Sequence, residues 1–509
     1  MVIYGWKTAL FDHINTYMDN VNVIKVNQSF VQIQAEQSIL HEINDRYTFF
    51  APNYKFMPQY KHGTWDGKIR LLNGRNCQLP HGLFSDLKKF TQTNGYELTH
   101  DPEILPKEID DETIEKFLTA VDVPFELRDY QRESFYRIAK NQRQLLISPT
   151  GSGKSLIIYL VMRWSLAMGY RTLLVCPTTS LVEQMYTDFE DYSKQNKWDV
   201  EKHCHRIYSG HDKKTDKDVV ISTWQSIFNL APSWFSGFQT AMVDEAHLAK
   251  AKSLNKIMNS CTNACIRVGT TGTLDGSQVN ELVLTGLFGP VYKATTTKKL
   301  IDDDTLSKTH INVIRLEYSK EESKLFNKMV SKYPQEMAYL TQISARNTFL
   351  CKLALSQKKN TLLLFNYVEN HGKPLFELLK TMNEDSNRKI LFISGEIDTQ
   401  YREEVRHIME KEKDAVLVAS MGTFSTGVNI KNLHNIIFAS PTKSQIRVLQ
   451  SIGRGLRKHG DNSTLKIFDV IDDLTGGRKK KNFALKHGIE RMKIYVKEKF
   501  EYSVHDLTI

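Results

Sequence analysis

The chain has 509 residues and a formal net charge of +10, with 41% apolar and 25% charged residues. That length exceeds what one core organises, so three or four domains are expected, and the composition excludes a disordered or fibrous chain. No apolar run is long enough for a membrane span or a secretory leader. The six scattered cysteines form no Cys-x-x-Cys pair, so reduced thiols in a cytoplasmic setting are expected.

Residues 1–107 read as a small α/β domain. Val21–Val26 and Phe30–Gln34 alternate apolar and polar positions, predicting two strands joined through Asn27–Ser29. Gln37–Phe50 predicts a helix ended by Pro52, Lys68–Leu72 a strand, and Leu83–Thr93 an amphipathic helix that stops near Gly95. Arg46–Arg75 carries six Lys/Arg against Asp66 alone, together with seven aromatic residues. Cations beside rings suit phosphates beside bases. Lys61, Trp65, Lys68 and Arg70 are therefore candidate nucleic-acid contacts, while Phe49, Phe50 and Phe56 are expected inside the domain.

Pro102, Pro106 and the acids that follow mark a boundary, and a domain over 108–300 begins. From about Arg128, short apolar strands alternate with helices, predicting a parallel sheet: Leu145–Ile147, Thr172–Cys176, Val219–Ser222 and Ala241–Val243. A second series over 301–475 comprises Thr361–Phe365, Lys389–Ile393, Ala415–Ala419, Asn435–Phe438 and Leu465–Phe468. The polar stretch Thr295–Ser344 includes the link between them. A basic helical extension, 476–509, has nine Lys/Arg between Arg478 and Lys499; its Arg478–Lys481 run is either a solvated face or a further nucleic-acid contact. The expected fold is α/β: two RecA-like parallel-sheet lobes with a small N-terminal α/β domain and a basic helical tail.

Three motifs carry chemistry. Ser148-Pro-Thr-Gly-Ser-Gly-Lys-Ser155 follows a strand and opens a helix, the setting in which a glycine loop cradles phosphate. Thr150, Gly151, Ser152 and Gly153 would offer backbone to the phosphates of ATP, Lys154 would hold the β/γ-phosphates and Ser155 would contact Mg2+. Ser148 stands where the strict pattern has glycine. Asp244 and Glu245 end a buried strand, where carboxylates are costly unless they have work. Asp244 suits Mg2+ and Glu245 suits activation of water, with His247 as a coupling residue. Arg454 and Arg457, three apart on a predicted helix, share a face and suit charge developing on a transferred phosphoryl group.

In this order the motifs resemble those of the superfamily two helicases. The resemblance spans about 125–470 and adds further stations. Leu127–Gln131 resembles the adenine-reading segment, implying Arg128 and Gln131 as nucleotide contacts. Cys176–Ser180 and Ser222–Ser226 resemble strand-contacting motifs, implying Thr178, Thr223 and Trp224. Thr271 and Thr273 fall in the motif that couples hydrolysis to movement, with Gln450 in the Gln-x-x-Gly-Arg-x-x-Arg motif and Gly427 in Ser425–Asn429. Beyond the motor, Tyr60–Leu72, Leu79–Leu83 and Leu485–Arg491 are similar to the UvsW-type helicases of bacteriophages, against which residues 1–20 are additional. That family implies ATP-driven unwinding of branched DNA and R-loops and migration of junctions, in recombination, repair and replication. Implied partners are branched or partly single-stranded DNA and RNA–DNA hybrid, with no membrane; a monomer is expected. A double-strand translocase, an RNA helicase and an ATP-gated sensor remain as alternatives.

Overall fold

A computed structural model describes residues 20–250, 252–274, 278–384, 386–397, 399–427, 430, 432–441, 444, 448, 451–453, 456 and 464–509. Arg454, Arg457 and Gln450 lie outside the described residues, as does the N-terminal segment 1–19. Two compact units divide the chain near Ala294.

The first unit joins the N-terminal domain to the first lobe. In the domain, β1 (Asn20–Lys25), β2 (Phe30–Gln34), β5 (Gln78–Pro80) and β6 (Glu97–His100) form a sheet in the order β5-β2-β1-β6, with β1 and β2 antiparallel. Alternate residues Val21, Val23, Val31 and Ile33 point inward and are buried against Ile39, Ile43 and Leu87 from two helices. The first helix is shorter than its sequence predicts. It spans Gln37–Arg46, after which Thr48–Phe50 turns into a strand, β3, pairing antiparallel with β4 (Lys68–Arg70). Local propensity favoured a longer helix, and cross-strand pairing overrides it. The second helix, Phe84–Asn94, ends where expected, on Gly95 with φ +78°.

Lobe 1 is a parallel sheet of seven strands among the described residues: β7 (Arg143–Ile147), β8 (Thr172–Cys176), β9 (Cys204–Ile207), β10 (Val219–Thr223), β11 (Thr240–Val243), β12 (Ile266–Thr271) and β13 (Val291–Lys293). Their order is β13-β7-β12-β11-β8-β10-β9. Strands covered on both faces read as continuous apolar runs, which is why four of the seven are visible in the sequence.

The N-terminal domain is fixed to this lobe by buried polar contacts. Arg143 Nη2 donates to Gln28 Oε1 at 3.0 Å and lies 3.2 Å from His81 Nδ1. Arg267 Nη2 donates to Ser29 Oγ at 2.7 Å, and Gln28 N–H donates to Thr262 O at 2.9 Å. A Cβ on Gly82 would overlap the carbonyl oxygen of Thr285, so only glycine permits this approach. Burial and then Arg143 push His81 down to about 2. It stays neutral and imposes no pH switch on the junction in the physiological range.

The second unit contains another parallel sheet of seven strands among the described residues: β14 (Thr309–Glu317), β15 (Thr361–Phe365), β16 (Lys389–Ile393), β17 (Ala415–Ser420), β18 (Asn435–Phe438), β19 (Leu465–Asp473) and β20 (Tyr502–Thr508). The order is β16-β17-β15-β18-β19-β14-β20. Two features depart from the sequence reading. The polar stretch after Thr295 supplies β14, which pairs with β19 over nine residues, and the tail ends in an edge strand, β20. The tail helix Phe483–Lys497 packs on β19 through a buried cluster: Arg491 Nη2 donates to Asp469 Oδ1 at 2.7 Å and Tyr495 OH donates to Asp469 Oδ2 at 2.9 Å. Buried Glu336 accepts from the backbone N–H of Phe483 (2.8 Å) and Ala484 (2.6 Å), satisfying donors at the helix start.

Truncating one partner of a buried ion pair strands the other charge, at a cost of about 3–5 kcal/mol. Arg491→Ala is expected to lower unfolding free energy by that order in denaturant titration, and Arg491→Met with Asp469→Leu and Tyr495→Phe, which leaves no buried donor or charge of this cluster unpaired, to recover most of it. A loss below about 1 kcal/mol in Arg491→Ala would remove the pair from the account of how the tail is held.

Candidate active site

The glycine loop, the acid pair and the strand-contact motifs all sit at the carboxyl ends of lobe 1 strands, the edge where ligands bind in parallel α/β sheets. The loop leaves β7 with Ser148 fully buried, its N–H donating to Thr271 O at 2.9 Å. Ser152 Oγ donates to Pro149 O at 2.7 Å and braces the turn. Gly151 and Gly153 have φ of +84° and +79°, a region closed to most side chains. Thr150 lies within the same turn. Gly153 caps the helix Lys154–Ala167, apolar nearly all round and buried along most of its length. That helix directs its N-terminal N–H groups at the loop, an arrangement suited to phosphate. Lys154 Nζ donates to Ser148 O at 3.1 Å, and Ser155 Oγ lies 2.7 Å from Tyr192 OH.

Asp244 follows β11 and is only 8% exposed. Thr270 Oγ1, from the neighbouring strand β12, donates to Asp244 Oδ1 at 2.7 Å. Burial raises the Asp244 carboxyl above the usual carboxylate range and Glu245 raises it further; Lys154 and the Thr270 hydrogen bond oppose that. Glu245 sits at φ +52°, a conformation unfavourable for a side-chain-bearing residue and concentrated at functional sites. His247 is buried, with Nδ1 at 3.2 Å from Glu245 Oε2 and 2.8 Å from Thr271 Oγ1. An ionised glutamate only accepts, so the proton belongs on Nδ1. His247 Nε2 is buried with no hydrogen-bond partner among the described residues. Thr271 Oγ1 in turn donates to Thr273 O at 2.9 Å. The proposed coupling residues His247, Thr271 and Thr273 therefore form one chain starting at Glu245.

The other sequence candidates fall around this edge. Gln131, in the helix Asp129–Asn141, is buried and accepts from Arg128 N–H at 3.1 Å; a Cβ on Gly153 would overlap its amide. The Arg128 guanidinium donates to Tyr130 OH at 3.0 Å. Thr178, after β8, caps the helix Thr179–Tyr192. Thr223, the last residue of β10, has its Oγ1 2.9 Å from Ser226 Oγ, and Trp224 is half-buried beside it. Gln225 Nε2 donates to Pro177 O at 3.4 Å and ties these two loops together. In the second unit Gly427 ends the helix Met421–Gly427. In the N-terminal domain Lys61 is exposed, Arg70 is ion-paired with Asp66, and half-buried Trp65 donates its indole N–H to Lys68 O at 2.9 Å. Phe50 and Phe56, expected inside, are 48% and 75% exposed, because no layer covers the short β3–β4 ribbon.

Two site residues escaped the sequence reading: Thr270, which holds Asp244, and Tyr192, which holds Ser155. Thr270 was findable, since a threonine at the end of a strand beside the acid-bearing strand is a natural partner. Tyr192 lies thirty-seven positions from Ser155, and no local pattern links them.

A phosphate loop and strand-end acid pair on one parallel sheet, followed by a second such sheet, define the class as a two-lobed ATPase motor of the RecA-like type. Family models match the N-terminal domain of the DNA helicase UvsW over 20–101, the res subunit of type III restriction enzymes over 124–276 and the helicase conserved C-terminal domain over 345–459. The ATP-dependent DNA helicase uvsW of Enterobacteria phage T4 is 37% identical over 495 residues, 93% of this chain and 97% of that one. The crystal structure of T4 UvsW superposes with a TM-score of 0.51 at 34% identity, covering 96% and 99% of the two chains. The DNA 3'-5' translocase XPB2 of Sulfurisphaera tokodaii is 24% identical over 67% of this chain and 80% of its own. The chain belongs to the UvsW family of ATP-dependent DNA helicases, within superfamily two. Among the described residues no helix is long and apolar enough to cross a membrane.

The raised Asp244 carboxyl has a consequence for stability. A carboxyl whose folded pKa exceeds its unfolded value makes the native state less stable once pH rises past both values, because the charged form is then held where it is costly. At neutral pH, Asp244→Asn is therefore expected to raise the thermal midpoint of the nucleotide-free protein while abolishing ATP turnover. A lower midpoint in the asparagine variant would contradict this electrostatic account.

Proposed function

We propose that this helicase unwinds and migrates branched DNA, including forks, four-way junctions and R-loops, with the lobe 1 site binding magnesium–ATP. The observation that carries the substrate reading is the N-terminal domain. It matches the UvsW N-terminal model, is locked to the motor through buried arginines, and bears a basic, aromatic ribbon. A processive motor with a rigidly attached nucleic-acid surface suits a substrate that has both a track and a branch. Lys61, Trp65, Lys68 and Arg70 are assigned to the N-terminal surface, and Thr178, Thr223 and Trp224 to the tracked strand.

At the ATP site, Lys154 holds the β/γ-phosphates, Thr150–Gly153 supply backbone donors, and Arg128 with Gln131 contact the base. The donor set fits a divalent cation. Asp244 is buried with its pKa raised by burial and by Glu245, and it is within electrostatic reach of Lys154, the chain neighbour of the Ser155 hydroxyl. Bound Mg2+ would neutralise charge on the transferring phosphate. Glu245 accepts the proton of the attacking water, and His247, Thr271, Thr273 and Gln450 transmit the change to the DNA-contacting loops. Arg454 and Arg457 stabilise charge on the transferred phosphoryl group, and Gly427 contributes to the nucleotide-responsive loop. RNA–DNA hybrid is a substrate in R-loops, and the host cytoplasm is the proposed setting.

Loss of a general base costs roughly 10²–10⁴ in rate, and loss of an arginine finger about 10³–10⁵. DNA-stimulated ATPase is expected to fall by those orders in Glu245→Gln and in Arg454→Ala or Arg457→Ala, and to vanish in Lys154→Ala. Wild-type turnover in Glu245→Gln would remove the assigned base. For the substrate, forks, four-way junctions, R-loops and blunt duplex compared with ATP and a non-hydrolysable analogue should give displacement on the branched forms only. Triplex displacement on blunt DNA without fork unwinding would favour a translocase. ATPase without displacement on any substrate would favour a sensor.

A further inference from the structure

The amino edge of the lobe 1 sheet, opposite the phosphate loop, collects positive charge. Arg143 opens β7, and Arg267 is its register partner on the adjacent parallel strand β12, so the two side chains project to one face. Arg267 is fully buried and Arg143 half-buried, yet neither has a carboxylate partner among the described residues. The groups they meet are neutral: Gln28, Ser29, His81 and the main-chain oxygens of Cys261 and Ala264. Burial, and then Arg267, push the Arg143 guanidinium well below its usual range, and burial pushes Arg267 down to about 10. Arg143 Nη1 is buried with no hydrogen-bond partner among the described residues. A guanidinium keeps its proton, so this junction stands short of an anion.

A cavity of about 830 Å³ lies beside Arg143, walled by the N-terminal domain on one side and lobe 1 on the other. Lys25 and Lys107 also line it, and Glu103 is the single carboxylate among the lining residues. The Glu103 side chain is 82% exposed and lies 3.7 Å from Lys25 Nζ, so it is spent on that lysine and leaves the guanidiniums uncompensated. Lys107 is exposed and has no ion-pair partner among the described residues. The volume is that of a small-molecule site, well beyond the needs of one inorganic ion. Phe84, Leu105 and Pro290 make part of the wall apolar, which suits a ligand with an organic body attached to its charge.

We propose that this cavity binds a small phosphate monoester, with Arg143 and Lys107 on the phosphate and Arg267 adding charge from behind. A monoester approaches two negative charges at neutral pH, so one group offsets both guanidiniums. A carboxylate or a phosphodiester carries one charge and offsets only one of them. A planar guanidinium also matches phosphate oxygens in pairs, which favours arginine at such a position. The occupant touches both domains, since Lys25 belongs to the N-terminal domain and Arg143 to lobe 1, and it stiffens the junction between them. The site stands at the opposite edge of the sheet from the phosphate loop and is separate from the ATP site.

The test is equilibrium dialysis of radiolabelled glycerol 3-phosphate against the full-length protein, with the phosphate loop filled by saturating magnesium–ADP. One saturable equivalent per chain is expected, displaced by unlabelled glycerol 3-phosphate and not by dimethyl phosphate. A hydrogen bond to a charged group is worth roughly 10- to 100-fold in dissociation constant. Arg143→Gln should weaken binding by a factor in that range, and Lys107→Gln by about two- to fivefold, as an exposed charge does. Lys107 is exposed, so its variant decides the matter even where Arg143→Gln fails to fold. Absence of saturable binding with the phosphate loop filled would overturn the site. So would wild-type affinity in the Lys107→Gln protein, or equal displacement by dimethyl phosphate.

Discussion

Two adjacent carboxylates at the end of a buried strand set the terms for lobe 1. Asp244 and Glu245 follow β11 in the middle of the sheet, where burial and mutual repulsion both oppose charge. The fold answers with three local devices. The phosphate loop places Lys154 close enough to oppose the rise in the Asp244 pKa, β12 supplies the Thr270 hydroxyl, and His247 Nδ1 lies 3.2 Å from Glu245 Oε2. None of these neutralises the pair. The site is thus electrostatically incomplete by itself, which is a favourable starting state for a cation and a polyphosphate arriving together. Its instability without ligand and its affinity for ligand have the same origin.

β12 ties that site to its surroundings through hydrogen bonds. Consecutive threonines at its end divide the work: Thr270 holds the metal-binding candidate, and Thr271 holds the histidine and passes on to Thr273. Thr271 O also receives the first N–H of the phosphate loop. The phosphate loop, the acid pair and the end of β12 are therefore joined by a short hydrogen-bonded chain. His247 Nε2 is buried without a hydrogen-bond partner among the described residues, and an unpartnered buried polar atom costs stability.

The legible and illegible parts of the chain separate by physical cause. Strands such as Thr361–Phe365 and Thr172–Cys176 are covered on both faces and appear in the sequence as uninterrupted apolar runs. β14 and β20 were hidden because neither has the uninterrupted apolar run of its neighbouring strands; β20, an exposed edge, depends on pairing with β14 rather than on its own burial. The phosphate loop and acid pair were legible because their chemistry is local in sequence. Tyr192 and the Glu336 cap on the tail helix were not, since each meets its partner only through the fold. Phe50 and Phe56 show the opposite error: hydrophobic type suggested interior, but a two-stranded ribbon has no interior to offer.

Charge placement explains why the N-terminal ribbon and the tail, both basic in sequence, have different fates. Arg491 of the tail is taken into the second unit by Asp469 and Tyr495, so part of that basic run serves stability. In the ribbon the single carboxylate is spent on Arg70, and its lysines stay beside exposed rings. Net charge alone does not distinguish these cases. What does is whether a buried carboxylate stands opposite, and that depends on strands far away in sequence. Arg143 and Arg267 complete the argument: half-buried Arg143 donates to Gln28, buried Arg267 donates to Ser29 and to a backbone oxygen, and these contacts hold the ribbon-bearing domain to the motor. Those polar contacts join the N-terminal domain to lobe 1 within the first unit.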